Sequence, residues 1–233
     1  MKEVHIVVFI ENIISIFSEH GIAFLKAAWM TIAITAISLL FAMVIGVIFA
    51  GFKISSSKIL NRIADIYIGI IRGTPLIVQI MFLYYGLANI VNLDSFTAGA
   101  LALGVHTGAY IAEIFRGAVQ SIDRGQMEAA RSLGMPYSLA MRRIIFPQAF
   151  KRAIPSLANQ FIIGLKDSSL VAYIAVTDLY NTALSVQGEN YMPFETYFVV
   201  GIYYLIIVLI FTWFANRIEN RMDVSKPKEV RLA

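Results

Sequence analysis

Four stretches of this chain run for about twenty residues without a charged side chain. Each lies between two charged residues: Lys26 and Lys53, Arg72 and Asp94, Asp94 and Glu113, and Glu195 and Arg217. A helix rises 1.5 Å per residue, so about 20 apolar residues cross the roughly 30 Å hydrocarbon core of a bilayer. Only helices and closed barrels satisfy their backbone hydrogen bonds in lipid. The four stretches therefore predict membrane-spanning helices.

A fifth apolar stretch, residues 153–176, carries two adjacent charges near its middle, Lys166 and Asp167. We predict that it also crosses the membrane, because the loops on either side then alternate in charge. The composition agrees, since 58% of the 233 residues are hydrophobic and 15% are charged, against about 25% charged residues in soluble domains. The sequence thus predicts an all-α integral membrane protein with five spans in residues 21–217. It excludes a soluble globular domain.

Positive charge is distributed unevenly between the predicted loops. Fifteen of the 19 lysines and arginines follow the first, third or fifth span, whereas the other two loops contain only acidic charges. Lysine and arginine collect on the cytoplasmic side of short loops. This bias predicts an extracytoplasmic N-terminus and a cytoplasmic tail, residues 218–233. Because orientation explains the basic excess, we predict no nucleic-acid partner.

The first twenty residues carry four charges among valine, isoleucine and phenylalanine, and they contain no signal-peptide cleavage pattern. Their apolar side chains recur at roughly helical spacing. This pattern predicts an extracytoplasmic amphipathic helix, residues 1–20, lying on the outer leaflet. The chain has no cysteine, and its three histidines are far apart in the sequence, so we predict no metal site.

The longest polar segment, residues 117–152, has the signals of two short helices joined by a tight turn. Asp123 and Gln126 form a capping-box pattern at the start of the first helix. Gly134 is placed to end that helix in a left-handed conformation. One face of the helix is expected to be apolar, formed by Met127, Ala130 and Leu133.

The second helix of this segment is predicted over about Tyr137–Phe146. Pro136 suits the approach to its first turn, and Pro147 is expected to close it. Two short helices held by a tight turn would form a rigid knob on the cytoplasmic side. An amphipathic knob in that position indicates a docking partner.

The same segment resembles the EAA loop of the permease subunits of ATP-binding-cassette importers. The match consists of Glu128-Ala129-Ala130, then Gly134, then Ile144, Phe146 and Pro147, with phenylalanine where leucine is usual. Other stretches resemble polar amino acid permeases, the histidine, arginine and glutamine group. They include Arg72-Gly73-Thr74-Pro75-Leu76 with Gln79, Gly108-Ala109-Tyr110, and Leu165-Lys166-Asp167-Ser168-Ser169-Leu170. The resemblance covers about residues 24–217.

The resemblance implies a type I importer permease fold, located in the bacterial inner membrane, that forms half of the path for a polar amino acid. It implies two ATPase subunits, a second permease chain that is identical or related, and an extracellular amino-acid-binding protein. This chain has no Gly-x4-Gly-Lys-[Ser/Thr] loop to hold phosphates, so ATP belongs to the partner and the chain is neither an enzyme nor a cofactor carrier. The implied ATPase contacts are Glu128, Ala129, Ala130, Gly134, Arg142 and Pro147.

Ionisable side chains at bilayer depth are costly, and by default they indicate a functional cavity. Arg72 either faces the translocation path, where it would pair with a substrate carboxylate or an acidic neighbour, or extends towards the cytosol. Lys166 and Asp167 either line a broken span or lock two spans together. Glu113 and Arg116 are expected to form a local ion pair. The candidate path residues are Arg72, Thr74, Gln79, His106, Tyr110, Lys166, Asp167 and Ser168.

Two other functions fit a chain of this composition. An ATP-independent secondary transporter or channel would show the same spans, but the EAA spacing argues against it. An intramembrane hydrolase would need a nucleophile, and the chain has no Gly-x-Ser-x-Gly pattern. Gly104, Gly108 and Ala112, at four-residue spacing, indicate close packing of the third span against another helix.

Overall fold

The computed structural model describes residues 2–221, with side chains from Ile6 onward. Within this range the chain is almost entirely helical and contains no strand. The helices are α1 (Lys2–Ile54), α2 (Lys58–Gly73), α3 (Leu76–Met81), α4 (Ser95–Gln120), α5 (Arg124–Ser132), α6 (Tyr137–Ala140), α7 (Phe146–Asp167), α8 (Leu179–Asn190) and α9 (Pro193–Arg221). π-Helical turns follow α3 and α6, at Phe82–Gly86 and Met141–Ile145, and a 3-10 helix, Ser168–Ile174, follows α7.

Three described helices are long and apolar enough to cross a membrane alone, namely α1, α4 and α9. α2 meets that criterion only as a pair with Leu76–Gly86, which is α3 and its π-helical turn, and the two are bent by 106° at their junction. α7 falls outside this set, since charged residues occur near both of its ends. It nevertheless packs against α4 and α9. The span expected over residues 153–176 therefore remains a prediction.

α1 is one helix of 53 residues, about 80 Å long. The sequence predicts two elements here, a separate amphipathic helix over residues 1–20 and a following span, and the structure has no break between them. The N-terminal half of α1 contacts the start of α9. The rings of Phe9 and Phe194 lie 5.4 Å apart between centroids, and Asn12 Nδ2 donates to Glu195 Oε1 at 3.1 Å. These contacts give the first half of α1 a partner within the bundle.

The second predicted span, between Arg72 and Asp94, is wrong in its extent. α2 already begins at Lys58, and the helix breaks at Thr74 and Pro75. Both residues have extended backbone, with ψ of 146° and 137°. For Thr74 the reason is that proline disfavours a helical conformation in the residue before it. The break places Arg72 in the last turn of α2 instead of at the start of a straight span.

The prediction that the small residues of α4 serve close packing is confirmed. α4 packs along α1, and Gly104, Gly108 and Ala112 are all buried. A Cβ added to Gly104 would lie 2.7 Å from Phe41 Cβ, and one added to Gly108 would lie 2.8 Å from Ile45 Cγ2. Such distances leave no room for a side chain, so glycine allows the two helices to approach closely. α4 thereby becomes a fixed support for the elements that pack on its other faces.

Candidate functional site

The break between α2 and α3 leaves backbone carbonyl groups that the helix cannot satisfy. In a continued helix the Ile71 carbonyl would accept the N–H of residue 75, and Pro75 has none. Gln79 supplies the missing donor, since its Nε2 lies 2.8 Å from Ile71 O and 3.2 Å from Thr74 O. Thr74 Oγ1 donates to Ile70 O at 2.9 Å. Thr74 and Gln79, both predicted to line the path, thus direct hydrogen-bond donors to the backbone of the break.

Side chains on both sides of the break reach one face of α4. His106, Tyr110 and Glu113 share this face, because they are spaced at i, i+4 and i+7. His106 Nδ1 lies 3.0 Å from Gln79 Oε1, and the Arg72 guanidinium carbon lies 5.2 Å from the centroid of the Tyr110 ring. Arg72 Nη1 is 3.9 Å from Glu113 Oε2. We call these five residues the break cluster, and four of them are predicted path residues.

The carboxylate of Glu113 is shared unequally between two arginines. Arg116 Nε is 3.1 Å from Oε1 and its Nη2 is 2.7 Å from Oε2, so the predicted local ion pair is confirmed. Arg72 lies further from the same carboxylate, and its side chain is 45% exposed. Among the described residues it has no acceptor within hydrogen-bonding distance. Its guanidinium therefore keeps donors for another anion.

Lys166 and Asp167, the other charged residues predicted to line the path, lie outside the break cluster. α7 ends at Asp167 and a 3-10 helix begins at Ser168, so the α-helix is interrupted here, as the first of the two alternatives requires. Within residues 2–221, neither Lys166 nor Asp167 forms an ion pair, which leaves the lock between spans without a partner in the described chain. Ser168 is fully buried and donates to Leu165 O at 2.9 Å. Lys166 lines a groove with residues of α8 and α9, including Tyr180, Tyr197 and Tyr204.

The first helix of the knob begins as predicted but with a different cap. Asp123 accepts a hydrogen bond from Gly125 N at 2.6 Å, whereas Gln126 approaches Asp123 only through its backbone N–H. The reciprocal capping box is therefore wrong. Ala130, an implied ATPase contact, is buried within the described chain, whereas Leu133 is 84% exposed, because it lies beyond the last turn of α5. The apolar face of α5 therefore lacks Leu133, which was predicted to belong to it.

Gly134 ends α5 in the predicted left-handed conformation, with φ of +81°. Its N–H donates to Arg131 O at 3.0 Å, and the N–H of Met135 donates to Ala130 O at 3.1 Å. This pair of bonds is the Schellman motif, which satisfies the last carbonyls of a helix. Gly134 thus fixes the angle between the two helices of the knob.

The second helix does not end at Pro147, so that prediction is wrong. α6 leads into the π-helical turn, whose Met141 carbonyl accepts the N–H of Phe146, and α7 continues from there. Pro147 lies in the first turn of α7, a position that accepts proline because its fixed φ suits the start of a helix. The knob, residues 124–145, is consequently joined to α7 without a loop. Its exposed side chains include Glu128, Ala129, Leu133, Tyr137 and Arg142.

Residues 42–224 match the family model described as the inner membrane component of binding-protein-dependent transport systems. The chain belongs to this family. It is 39% identical over 204 residues to the glutamine transport system permease protein GlnP of Escherichia coli, covering 86% of this chain and 93% of GlnP. It is 34% identical over 200 residues to the arginine transport system permease protein ArtQ of Bacillus subtilis, covering 85% and 91%.

Two solved structures have a fold similar to that of this chain. A crystal structure of an amino acid ABC transporter with histidines superposes with a TM-score of 0.83 at 39% identity, covering 88% of this chain and 96% of that one. An inward-facing methionine ABC transporter, MetNI, gives a TM-score of 0.76 at 20% identity, covering 87% and 97%. The predicted all-α type I importer permease fold is confirmed. The chain is a permease component of an ABC importer.

Proposed function

We propose that this permease imports a polar amino acid, either glutamine or a basic amino acid such as arginine, histidine or lysine. The observation that carries the proposal is the half-exposed Arg72 guanidinium, which retains hydrogen-bond donors beside the helix break. A guanidinium binds a carboxylate through parallel hydrogen bonds. The carboxyl end of α2 has the negative end of the helix dipole, which favours an ammonium group. The relatives named for glutamine and arginine transport support the same substrate class.

We infer that the knob docks on an ATPase subunit. Leu133, 84% exposed, and Tyr137, half exposed, are large apolar side chains at its tip, and such side chains favour a protein partner. The inferred transporter contains two ATPase subunits, a second permease chain that is identical or related, and an extracellular amino-acid-binding protein. ATP binds to the ATPase subunits, and the permease itself uses no cofactor.

The proposed function is tested by ATP-dependent uptake in proteoliposomes. The permease is purified with its ATPase and binding-protein partners, and the accumulation of labelled glutamine, arginine and histidine is measured. We expect uptake of at least one of these that stops when the ATPase carries a substitution in its phosphate-binding lysine. Uptake driven by an ion gradient without ATP would instead support a secondary transporter. Absence of all amino-acid uptake from an assembled, ATP-hydrolysing complex would contradict the proposal.

We also propose that the N-terminus is extracytoplasmic and that the knob faces the cytoplasm, as the charge distribution predicts. Ser138 on the knob and Ser185 on α8 are both exposed, and the chain has no native cysteine. An impermeant thiol reagent applied to intact cells should label Ser185→Cys and leave Ser138→Cys unlabelled. Permeabilised cells, in which both positions should react, provide the control. Labelling of Ser138→Cys from outside would reverse the assigned orientation.

A further inference from the structure

Both the nitrogen and the oxygen of the Gln79 side-chain amide form hydrogen bonds beside the break. The carbonyl groups of Ile71 and Thr74 can only accept hydrogen bonds, so the amide nitrogen must face them at 2.8 and 3.2 Å. The amide oxygen therefore faces His106 Nδ1 at 3.0 Å. That nitrogen must carry the proton, which fixes the tautomer of a neutral His106. One side chain of α3 is thus bonded to the end of α2 and to α4.

The two hydrogen bonds from the Gln79 amide nitrogen hold the end of α2 that contains Arg72. Ile71 and Thr74 lie on either side of Arg72 in the chain, and their carbonyl groups belong to the frayed end that α2 would have beside Pro75. An unpaired backbone carbonyl costs free energy when burial keeps water from replacing the lost donor, and the bond to Ile71 O is part-buried. Without the Gln79 amide, the last turn of α2 loses the donor that holds its carbonyl groups. The orientation of the guanidinium then depends only on its long contact with Glu113 and on the Tyr110 ring.

We propose that Gln79 is a positioning residue for transport, which holds α2 and α3 at their 106° bend and thereby places the Arg72 guanidinium on α4. This inference rests on the proposed function in assigning Arg72 to substrate binding. It assigns no substrate contact to Gln79 itself, because both ends of the amide are engaged within the protein. His106 is the anchor that ties this arrangement to α4.

Two variants remove different parts of the arrangement. Gln79→Glu keeps the shape of the side chain, but its ionised carboxylate cannot donate to Ile71 O or Thr74 O. His106→Leu removes the anchor on α4 and leaves both carbonyl groups with their donor. Gln187→Leu, on α8, is the matched control for loss of an amide at a site away from the break. Spin labels at Ile66→Cys on α2 and Tyr85→Cys beyond α3 report the bend, since both positions are exposed and the chain has no other cysteine.

The experiment measures the distance distribution between the two labels and the KM and kcat for uptake by the assembled transporter. For Gln79→Glu we expect a broader distance distribution and a KM raised roughly ten-fold, the scale of one lost hydrogen bond, with a smaller change in kcat. His106→Leu should change both quantities in the same direction and by less. Gln187→Leu should match the wild-type protein in both.

Other outcomes overturn the positioning role. A wild-type distance distribution with a raised KM would make Gln79 a direct substrate ligand, and a broadened distribution with a wild-type KM would separate the bend from transport. Failure of both variants to assemble would assign the residues to folding alone. The distance measurement needs no substrate, so a broadened distribution in a complex that imports no amino acid would reject the proposed function and keep the control of the bend by Gln79.

Discussion

Replacing Gly134 with valine is expected to reduce coupled transport at least ten-fold while the permease still inserts in the membrane. Gly134 has φ of +81°, a conformation that costs an ordinary L-residue about 1–2 kcal/mol and is a genuine outlier for a β-branched one. The strain would open the Schellman turn and change the angle between α5 and α6. ATP-dependent uptake and substrate-stimulated ATP hydrolysis, measured on the reconstituted complex, test this expectation.

The matched control is Gly134→Asn, because asparagine tolerates the left-handed conformation better than other non-glycine residues. Among the described residues, no atom lies within 4 Å of a Cβ added at Gly134, so added bulk alone is not expected to disturb the knob. Gly134→Asn should therefore retain most of the transport that Gly134→Val loses. Equal loss in both variants would assign the effect to contact with the ATPase surface. Normal stimulated hydrolysis in Gly134→Val would show that the knob does not transmit the signal.

The long apolar helices could be predicted well, because lipid imposes a simple length requirement on uncharged sequence. α4 and α9 closely follow the stretches bounded by Asp94 and Arg217. The join between the predicted N-terminal helix and the first span could not be predicted in this way. It depends on contacts such as Asn12 with Glu195, between residues separated by most of the chain.

The effects of Pro75 and Pro147 depend on structural context that local sequence patterns do not contain. Pro75 breaks the chain sharply between α2 and α3, whereas Pro147 lies inside a continuous path from α6 to α7. The difference is the π-helical turn before Pro147, which resets the hydrogen-bond register so that proline falls in the first turn of the next helix. Such a turn has no reliable sequence signal. For the ATPase docking proposed above, the continuity from the knob into α7 provides a direct connection between the docking surface and the helices that pack against α7.

The candidate site could be predicted as a set of polar residues but not as an arrangement. Arg72, Gln79, His106 and Tyr110 were each indicated by their position within apolar sequence, and the structure brings them together. The role of Gln79 had one available signal, its position four residues after Pro75, within reach of the carbonyl groups that the proline leaves free. Glu113 was predicted only as a partner of Arg116. To predict that Glu113 approaches Arg72, one would need to know how α2 crosses α4.

Replacing Arg72 with methionine is expected to raise the substrate concentration for half-maximal uptake by roughly ten- to a hundred-fold. Loss of hydrogen bonds to a charged group typically costs about 1.5–3 kcal/mol, and methionine keeps similar bulk without the charge. Arg62→Met is the matched control, since Arg62 is an exposed arginine on the same helix. It should transport as the wild-type protein does. Uptake is measured against substrate concentration in proteoliposomes.

Exchange of the residues at 113 and 116 provides a second test of Arg72. The combined variant Glu113→Arg and Arg116→Glu would retain a local ion pair with the two charges exchanged. It would also place a second guanidinium at the position of the Glu113 carboxylate, which now lies 3.9 Å from Arg72. Repulsion between two like charges about 4 Å apart should move Arg72 off Tyr110. We therefore expect substrate affinity to fall with the ion pair preserved. Ligand binding and folded yield are measured on the same purified variants. Wild-type ligand affinity in the Arg72→Met variant would remove Arg72 from the substrate path.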